Sequence, residues 1–209
     1  MKLKLTHIVV LLFVISGFAQ QKNLTPAEIS SFKSEVQATS KKIITLKSTF
    51  VQTKHLSFLT KDITSVGTLY LKANNQLKWA YTKPYEYSVI FKNNTMYVND
   101  QGKKNAVDMS KSKHFEKINK LIVGSINGDL FDNKEFATTY QSDKNHIIAK
   151  LVPKSKELLK YIKEIHLYFP VNTGYVSSVR MIEPTSDYTQ IEFKERKVNE
   201  IIEESVFKN

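Results

Sequence analysis

Apolar residues alternate with polar ones along most of this chain, and Gly67 to Pro84 shows the pattern best. Leu69 and Leu71 alternate with Thr68, Tyr70 and Lys72, the period of a strand with one apolar face. Leu77, Trp79 and Tyr81 repeat the alternation after the polar connector Ala73-Asn74-Asn75-Gln76, which suits a hairpin. Pro84 has no amide donor and closes the second strand. The single tryptophan of the chain therefore sits among large apolar side chains on one hairpin face. Leu46, Ser48, Phe50 and Gln52 share one side of an earlier strand, and Tyr87, Val89 and Phe91 share one side of a later one. Asn93-Asn94 turns the chain into Thr95 to Asn99. Further strands are expected over Glu135 to Gln141, His146 to Val152, Tyr161 to Phe169, Tyr175 to Glu183 and Tyr188 to Glu195.

Two segments carry a helical period instead. Thr25-Pro26-Ala27-Glu28 reads as a capping box with proline at the first helical position. Ile29, Phe32, Val36 and Ile43 follow as an apolar stripe. A second helix is expected from about His114 to Ile126, with Phe115, Ile118, Leu121 and Ile122 on one face and Asn127-Gly128 at its end. About ten antiparallel strands with two helices make an α+β domain built on one large sheet. A twisted sheet of that size curls, because open sheets rarely stay open beyond about ten strands. The curled sheet has a concave face that two apolar helices can cover.

Composition narrows the class. Lys2 and Lys4 precede an apolar run from Ile8 to Phe18, and Gly17-Phe18-Ala19 supplies small residues near a cleavage point. Residues 1–19 are therefore expected to be an export signal and 20–209 a single domain. The run is too short for a spanning helix, which needs about twenty apolar residues. There is no cysteine, which excludes disulfides and a lipid-modified cysteine on this chain. Net charge is +11 over the full sequence. Arg180 and Arg196 are the only arginines, so forked phosphate recognition of nucleic acid is poorly supplied, and export argues against it. A lysine-rich surface favours transient contact with anionic lipid headgroups, and it serves equally as a solubilising surface.

Catalytic constellations are missing. His55, His114, His146 and His166 are scattered without metal-ligand spacing, and no G-x-S-x-G elbow occurs. Glu195 and Glu203-Glu204 lie in charged stretches that read as solvated surface. Gly124 to Asp129 lacks the lysine and the strand–helix setting of a phosphate loop. The expectation is a protein that is not an enzyme and needs no cofactor or metal.

The block Gly67, Leu69, Leu71, Leu77, Trp79, Tyr81 and Pro84 resembles the signature of the LolA-type lipoprotein carriers. Phe50-Val51-Gln52 resembles the family's F-x-Q strand, and Leu151-Val152-Pro153-Lys154 its L-x-P-K step. Met96 to Asp100, and Lys197-Val198-Asn199 followed by Phe207, extend the likeness in order along the chain. The resemblance implies an incomplete, half-open β-barrel of about 10–11 strands. It implies an apolar cavity walled by Leu69, Leu71, Leu77, Trp79, Tyr81, Val89 and Phe91, with a lid from Ile29, Phe32, Ile118, Leu121 and Ile122. It further implies a monomeric periplasmic chaperone. Its partners would be acylated lipoproteins, an inner-membrane ABC transporter that releases them, and an outer-membrane acceptor. One departure stands out. The carriers place arginine and proline in the hairpin connector, where this chain has Ala73 and Asn74. That leaves room for a carrier of free lipid or a lipid-like precursor, or for a module that senses lipoproteins.

Overall fold

The computed structural model describes residues 21–73, 76–108 and 135–209. Twelve strands form one sheet: β1 (Lys22–Asn23), β2 (Thr45–His55), β3 (Ile63–Lys72), β4 (Gln76–Lys83), β5 (Tyr87–Lys92), β6 (Thr95–Asp100), β7 (Lys103–Asp108), β8 (Phe136–Ser142), β9 (His146–Pro153), β10 (Glu164–Pro170), β11 (Ser178–Ile182) and β12 (Tyr188–Val198). Their order is β1-β8-β9-β10-β11-β12-β2-β3-β4-β5-β6-β7, and every pairing is antiparallel. Two meanders, β2–β7 and β8–β12, are thus fused where β12 pairs with β2. The edges β1 and β7 do not meet, so this is an open α+β half-barrel.

Ring contacts show how strongly the sheet curves. Trp79 on β4 and Phe193 on β12 are three strand steps apart, which on a flat sheet is roughly 14 Å. Their ring centroids lie 6.1 Å apart. Phe50 on β2 reaches Trp79, two steps away, at 4.4 Å. Side chains from separated strands converge in this way only on a concave face.

Helix α1 (Pro26–Ser40) begins with the expected box. The Glu28 amide donates to Thr25 Oγ1 at 3.3 Å, and the Thr25 amide donates to Glu28 Oε2 at 2.6 Å. Phe32 and Val36 are its buried apolar residues. They join Phe136, Tyr140, Leu151, Ile165, Leu167 and Phe169 in one core cluster on the inner face of β8–β10. Phe32 sets its edge against Phe169 at 4.9 Å. The helix stops before Ile43, which packs on a second cluster instead. That second cluster covers the inner face of β2–β6, and Phe193 packs against both.

The sheet holds two strands beyond the sequence expectation. β1 has only two residues, and β7 is exposed throughout, so neither carries an apolar alternation. Two boundaries also shift. A short helix α2 (Lys156–Leu159), capped by Ser155 Oγ, delays β10 to Glu164, and β11 begins at Ser178. The C-terminal 3₁₀ turn Glu204–Phe207 folds onto the convex face, where Ile202 and Phe207 bury against Ile90, with Tyr70 and Tyr97 beside them. The expected leader 1–19 and the expected helix His114–Ile126, with Ile118, Leu121 and Ile122, lie outside the described residues.

Candidate functional site

Register places the predicted wall residues on a single face. Leu69 pairs with Trp79, Leu71 with Leu77 and Gly67 with Tyr81. Leu77 pairs in turn with Phe91, Trp79 with Val89 and Tyr81 with Tyr87. Leu69, Leu71, Leu77, Trp79 and Phe91 are buried in the second cluster, with Tyr81 and Val89 packed against it. The face extends beyond that set. Leu46, Phe50 and Met96 are buried in the same cluster, and Ile43, Val98, Ile191 and Phe193 border it. Alternation along β2, β6 and β12 carries the signal for these additions, except for Ile43, which precedes β2.

Gly67 makes the close packing at the centre geometrically feasible. A Cβ there would lie 2.2 Å from the Ala80 carbonyl oxygen and 2.4 Å from Phe50 Cζ. The missing side chain is the space into which the Phe50 ring swings to meet Trp79 and, at 5.2 Å, Tyr81.

Polar groups on this face are few. Ser48, buried between Leu46 and Phe50 on β2, donates to the Lys194 carbonyl at 2.8 Å. The Tyr81 hydroxyl donates to Gln52 Oε1 at 2.9 Å. Burial raises the Tyr81 hydroxyl above its ordinary pKa of 10.0, against the pull of its hydrogen bonds. It therefore stays neutral and adds no charge to the face.

The predicted lid residues of α1 lie elsewhere. Phe32 is buried, and Ile29 packed, against the β8–β10 cluster and not against the Trp79 cluster. Lys72 and Lys78, the cations nearest the departed arginine, do not face inward either. Lys72 donates to Glu204 Oε1 at 2.6 Å on the convex side and stands 5.8 Å from the centre of the Phe207 ring. Lys78 pairs with Ile90, the centre of the convex cluster.

Besides Lys54, which is paired with Glu183, one further cation reaches the inner side. The β12–β2 register shifts between Lys194, opposite Thr49, and Lys197, opposite Lys47, so Glu195 and Arg196 together oppose Ser48. Glu195 adopts φ 51°, in the left-handed region that side chains seldom occupy. Its carboxylate accepts from Thr49 Oγ1 at 3.1 Å. Arg196 is half-buried and stacks on the ring of Tyr175 at 4.6 Å. Tyr175 lies between Val176, part of the α1 cluster, and Gly174, whose Cα would carry a Cβ only 2.5 Å from Thr39 Oγ1 of α1. Burial lowers the Arg196 pKa, with Tyr175 acting in the opposite sense.

Among the described residues no group of three metal-binding side chains occurs, and no helix is long and apolar enough to cross a membrane. His166 is held below its ordinary pKa chiefly by burial, despite Glu164 at 3.3 Å.

Comparisons agree with this geometry. Among solved structures, the lipoprotein LppX of Mycobacterium tuberculosis is similar at TM-score 0.51 and 10% identity, covering 86% of this chain and 99% of that one. The MucA/MucB complex structure of Pseudomonas aeruginosa matches at TM-score 0.53 and 8% identity, covering 86% of this chain and 60% of that one. At such identities the likeness speaks for the fold. Among curated proteins none matches the sequence. The family model described as outer membrane lipoprotein carrier protein LolA matches residues 41–209. That span takes in every strand of the Trp79 face, and the chain belongs to the LolA family.

Proposed function

We propose that this protein is a periplasmic chaperone that holds the acyl chains of lipoproteins against the Trp79 face. It would receive them from an inner-membrane ABC transporter and pass them to an acceptor at the outer membrane. The observation that carries the reading is the continuous apolar inner face of β12 and β2–β6, within the LolA-family span. At about 0.8 kcal/mol per methylene, a chain of roughly fifteen carbons resists leaving a membrane by about 12 kcal/mol. A carrier has to cover that surface and still let it go. Aliphatic and aromatic side chains with few fixed polar partners do both, since they bind by area and impose no geometry on the chain. Leu69, Leu71, Leu77, Trp79, Tyr81, Val89 and Phe91 supply such a surface, and Leu46, Phe50, Met96 and Phe193 enlarge it.

A second reading keeps the fold and changes the cargo to free lipid or a lipid-like precursor. It is favoured by Ala73 and Asn74 in place of arginine and proline, with Lys72 and Lys78 turned to the convex side. Mass spectrometry of material co-purifying with the tagged protein from its own periplasm separates the two. Triacylated lipoprotein in stoichiometric amount supports the chaperone, and lipid without lipoprotein supports the second reading. No bound lipid, together with unchanged Trp79 fluorescence on adding a synthetic triacylated lipopeptide, refutes both.

A further inference from the structure

The β12 bulge aims an arginine at the concave side of an otherwise apolar face, and the acyl-chain reading leaves it without a task. Bulges re-aim side chains at functional positions. This one is built with care: Ser48 Oγ and Thr49 Oγ1 both donate to the Lys194 carbonyl, at 2.8 and 3.2 Å. Glu195 takes up the left-handed conformation, and its carboxylate turns to Thr49. What the distortion delivers is the Arg196 guanidinium, over the Tyr175 ring with its carbon 4.6 Å from the ring centre.

Among the described residues Arg196 has no carboxylate partner. The other partly buried inner-face cation, Lys54, is paired with Glu183 at the far end of the strand. A guanidinium brought part-way out of water without a counter-ion is costly, and its planar fork fits carboxylate or phosphate oxygens. Contact with the Tyr175 ring restrains the guanidinium on one side and leaves its other donors for an anion. The position is adjacent to the Trp79 face. Ser48, opposite the bulge, is flanked by Leu46 and Phe50, and Phe193 precedes Arg196 by three residues and sets its edge on Trp79.

We propose that Arg196 and Tyr175 form an anion-binding station. It would hold the carboxylate or phosphate at the polar end of an amphiphile whose chain lies on the Trp79 face. The proposal rests on the acyl-chain reading above and, within it, favours the free-lipid cargo, an anionic single- or multi-chain lipid, because the triacylated end of a lipoprotein carries neither carboxylate nor phosphate.

The test uses Trp79, the only tryptophan, as the reporter in fluorescence titrations with four probes. Palmitate is compared with hexadecanol for the carboxylate, and lysophosphatidylglycerol with monopalmitoylglycerol for the phosphate. The unaltered protein should bind at least one charged probe about tenfold tighter than its neutral counterpart, the scale of one charge-assisted pair. Arg196→Gln should bring the two within about twofold and leave the neutral affinity unchanged. Arg196→Lys, which keeps charge without the fork, should retain part of the preference. Equal affinity for charged and neutral probes in the unaltered protein overturns the station and leaves the carrier reading standing. A preference that survives Arg196→Gln overturns it too, as does an equal loss of charged and neutral binding, which marks a structural role. Failure of all four probes to perturb Trp79 removes the carrier reading along with the station.

Discussion

Replacing Gly67 by alanine adds one methyl group at the centre of the candidate wall. The added carbon would sit 2.2 Å from the Ala80 carbonyl oxygen and 2.4 and 2.8 Å from Cζ and Cε1 of Phe50. The carbonyl belongs to the β3–β4 ladder and cannot turn aside without breaking it. Phe50 is fully buried, with its ring 4.4 Å from Trp79, so it has nowhere to withdraw. Overpacking of this kind costs about 1–3 kcal/mol, and with two neighbours blocked the upper end, about 3 kcal/mol, is expected. For a domain of this size that lowers the midpoint of thermal unfolding by roughly 6–12 °C. Circular dichroism measures the midpoint, and Trp79 emission reports whether the Phe50–Trp79 stack has moved. Adding Phe50→Leu should recover about 1 kcal/mol, because a shorter side chain removes the ring part of the clash and leaves the carbonyl part. A Gly67→Ala midpoint within about 2 °C of the unaltered protein, with unchanged emission, would refute the idea that this glycine makes room for Phe50.

Phe32→Ala removes the ring that docks α1 between Tyr140 and Phe169, at a cost of about 3–5 kcal/mol. Amide exchange should then rise in α1 ahead of β2–β4, and uniform exchange would contradict the docking role. Glu204→Gln removes the carboxylate charge that Lys72 and Lys92 share on the convex face and leaves a single acceptor oxygen. Their hydrogen bonds hold the Glu204 carboxyl below its ordinary 4.5. A depressed pKa stabilises the fold above the unfolded value and ceases to do so as pH falls through the folded one. The variant should therefore be less stable at neutral pH and indistinguishable below the folded pKa, and a gap that persists in acid would show that the carboxylate charge is not responsible.

How much could be read in advance depended on period and partner. The hairpin Leu69 to Tyr81 was legible because each strand buries one face, so alternation reports the face directly. The capping box was legible because its two hydrogen bonds are local. β7 was not, because an exposed edge strand needs no alternation: Lys103, Lys104 and Asn105 pair with Asp100, Asn99 and Val98 through backbone alone. The target of the Ile29–Phe32 stripe was hidden for another reason. An amphipathic stripe shows that a helix face is buried and carries no information about which half of a curved sheet receives it. Glu204 read as solvated surface and is exposed; what the sequence did not show is that it receives Lys72 and Lys92 across more than a hundred residues. The Arg196 bulge was beyond the pattern altogether, because a one-residue register shift is set by two strands together.

If acyl chains load onto the Trp79 face as proposed, these placements limit the route they can take. Lifting α1 away would expose Phe32 and Val36, both nearly fully buried, at about 1.5–3 kcal/mol each. Separating Gly174 from Thr39 and Glu35 would strip a further close-packed contact. The α1 half of the concavity therefore behaves as ordinary core, and the helix as a fixed part of the scaffold. The β2–β6 half is buried as deeply, with Phe50 at 0 % and Leu69 and Leu77 at 1 % exposure, and differs in its neighbours. The described α1 residues pack into the other cluster, and Phe193 borders both. A hydrocarbon chain entering over Trp79 would exchange one apolar neighbour for another along the sheet, at little cost in area. It would leave the α1 docking untouched, and its polar end could come to rest where β12 bulges and Arg196 faces in. If the protein carries acyl chains as proposed, the α1 half would hold the curvature while the β2–β6 half exchanged its contacts with the chain.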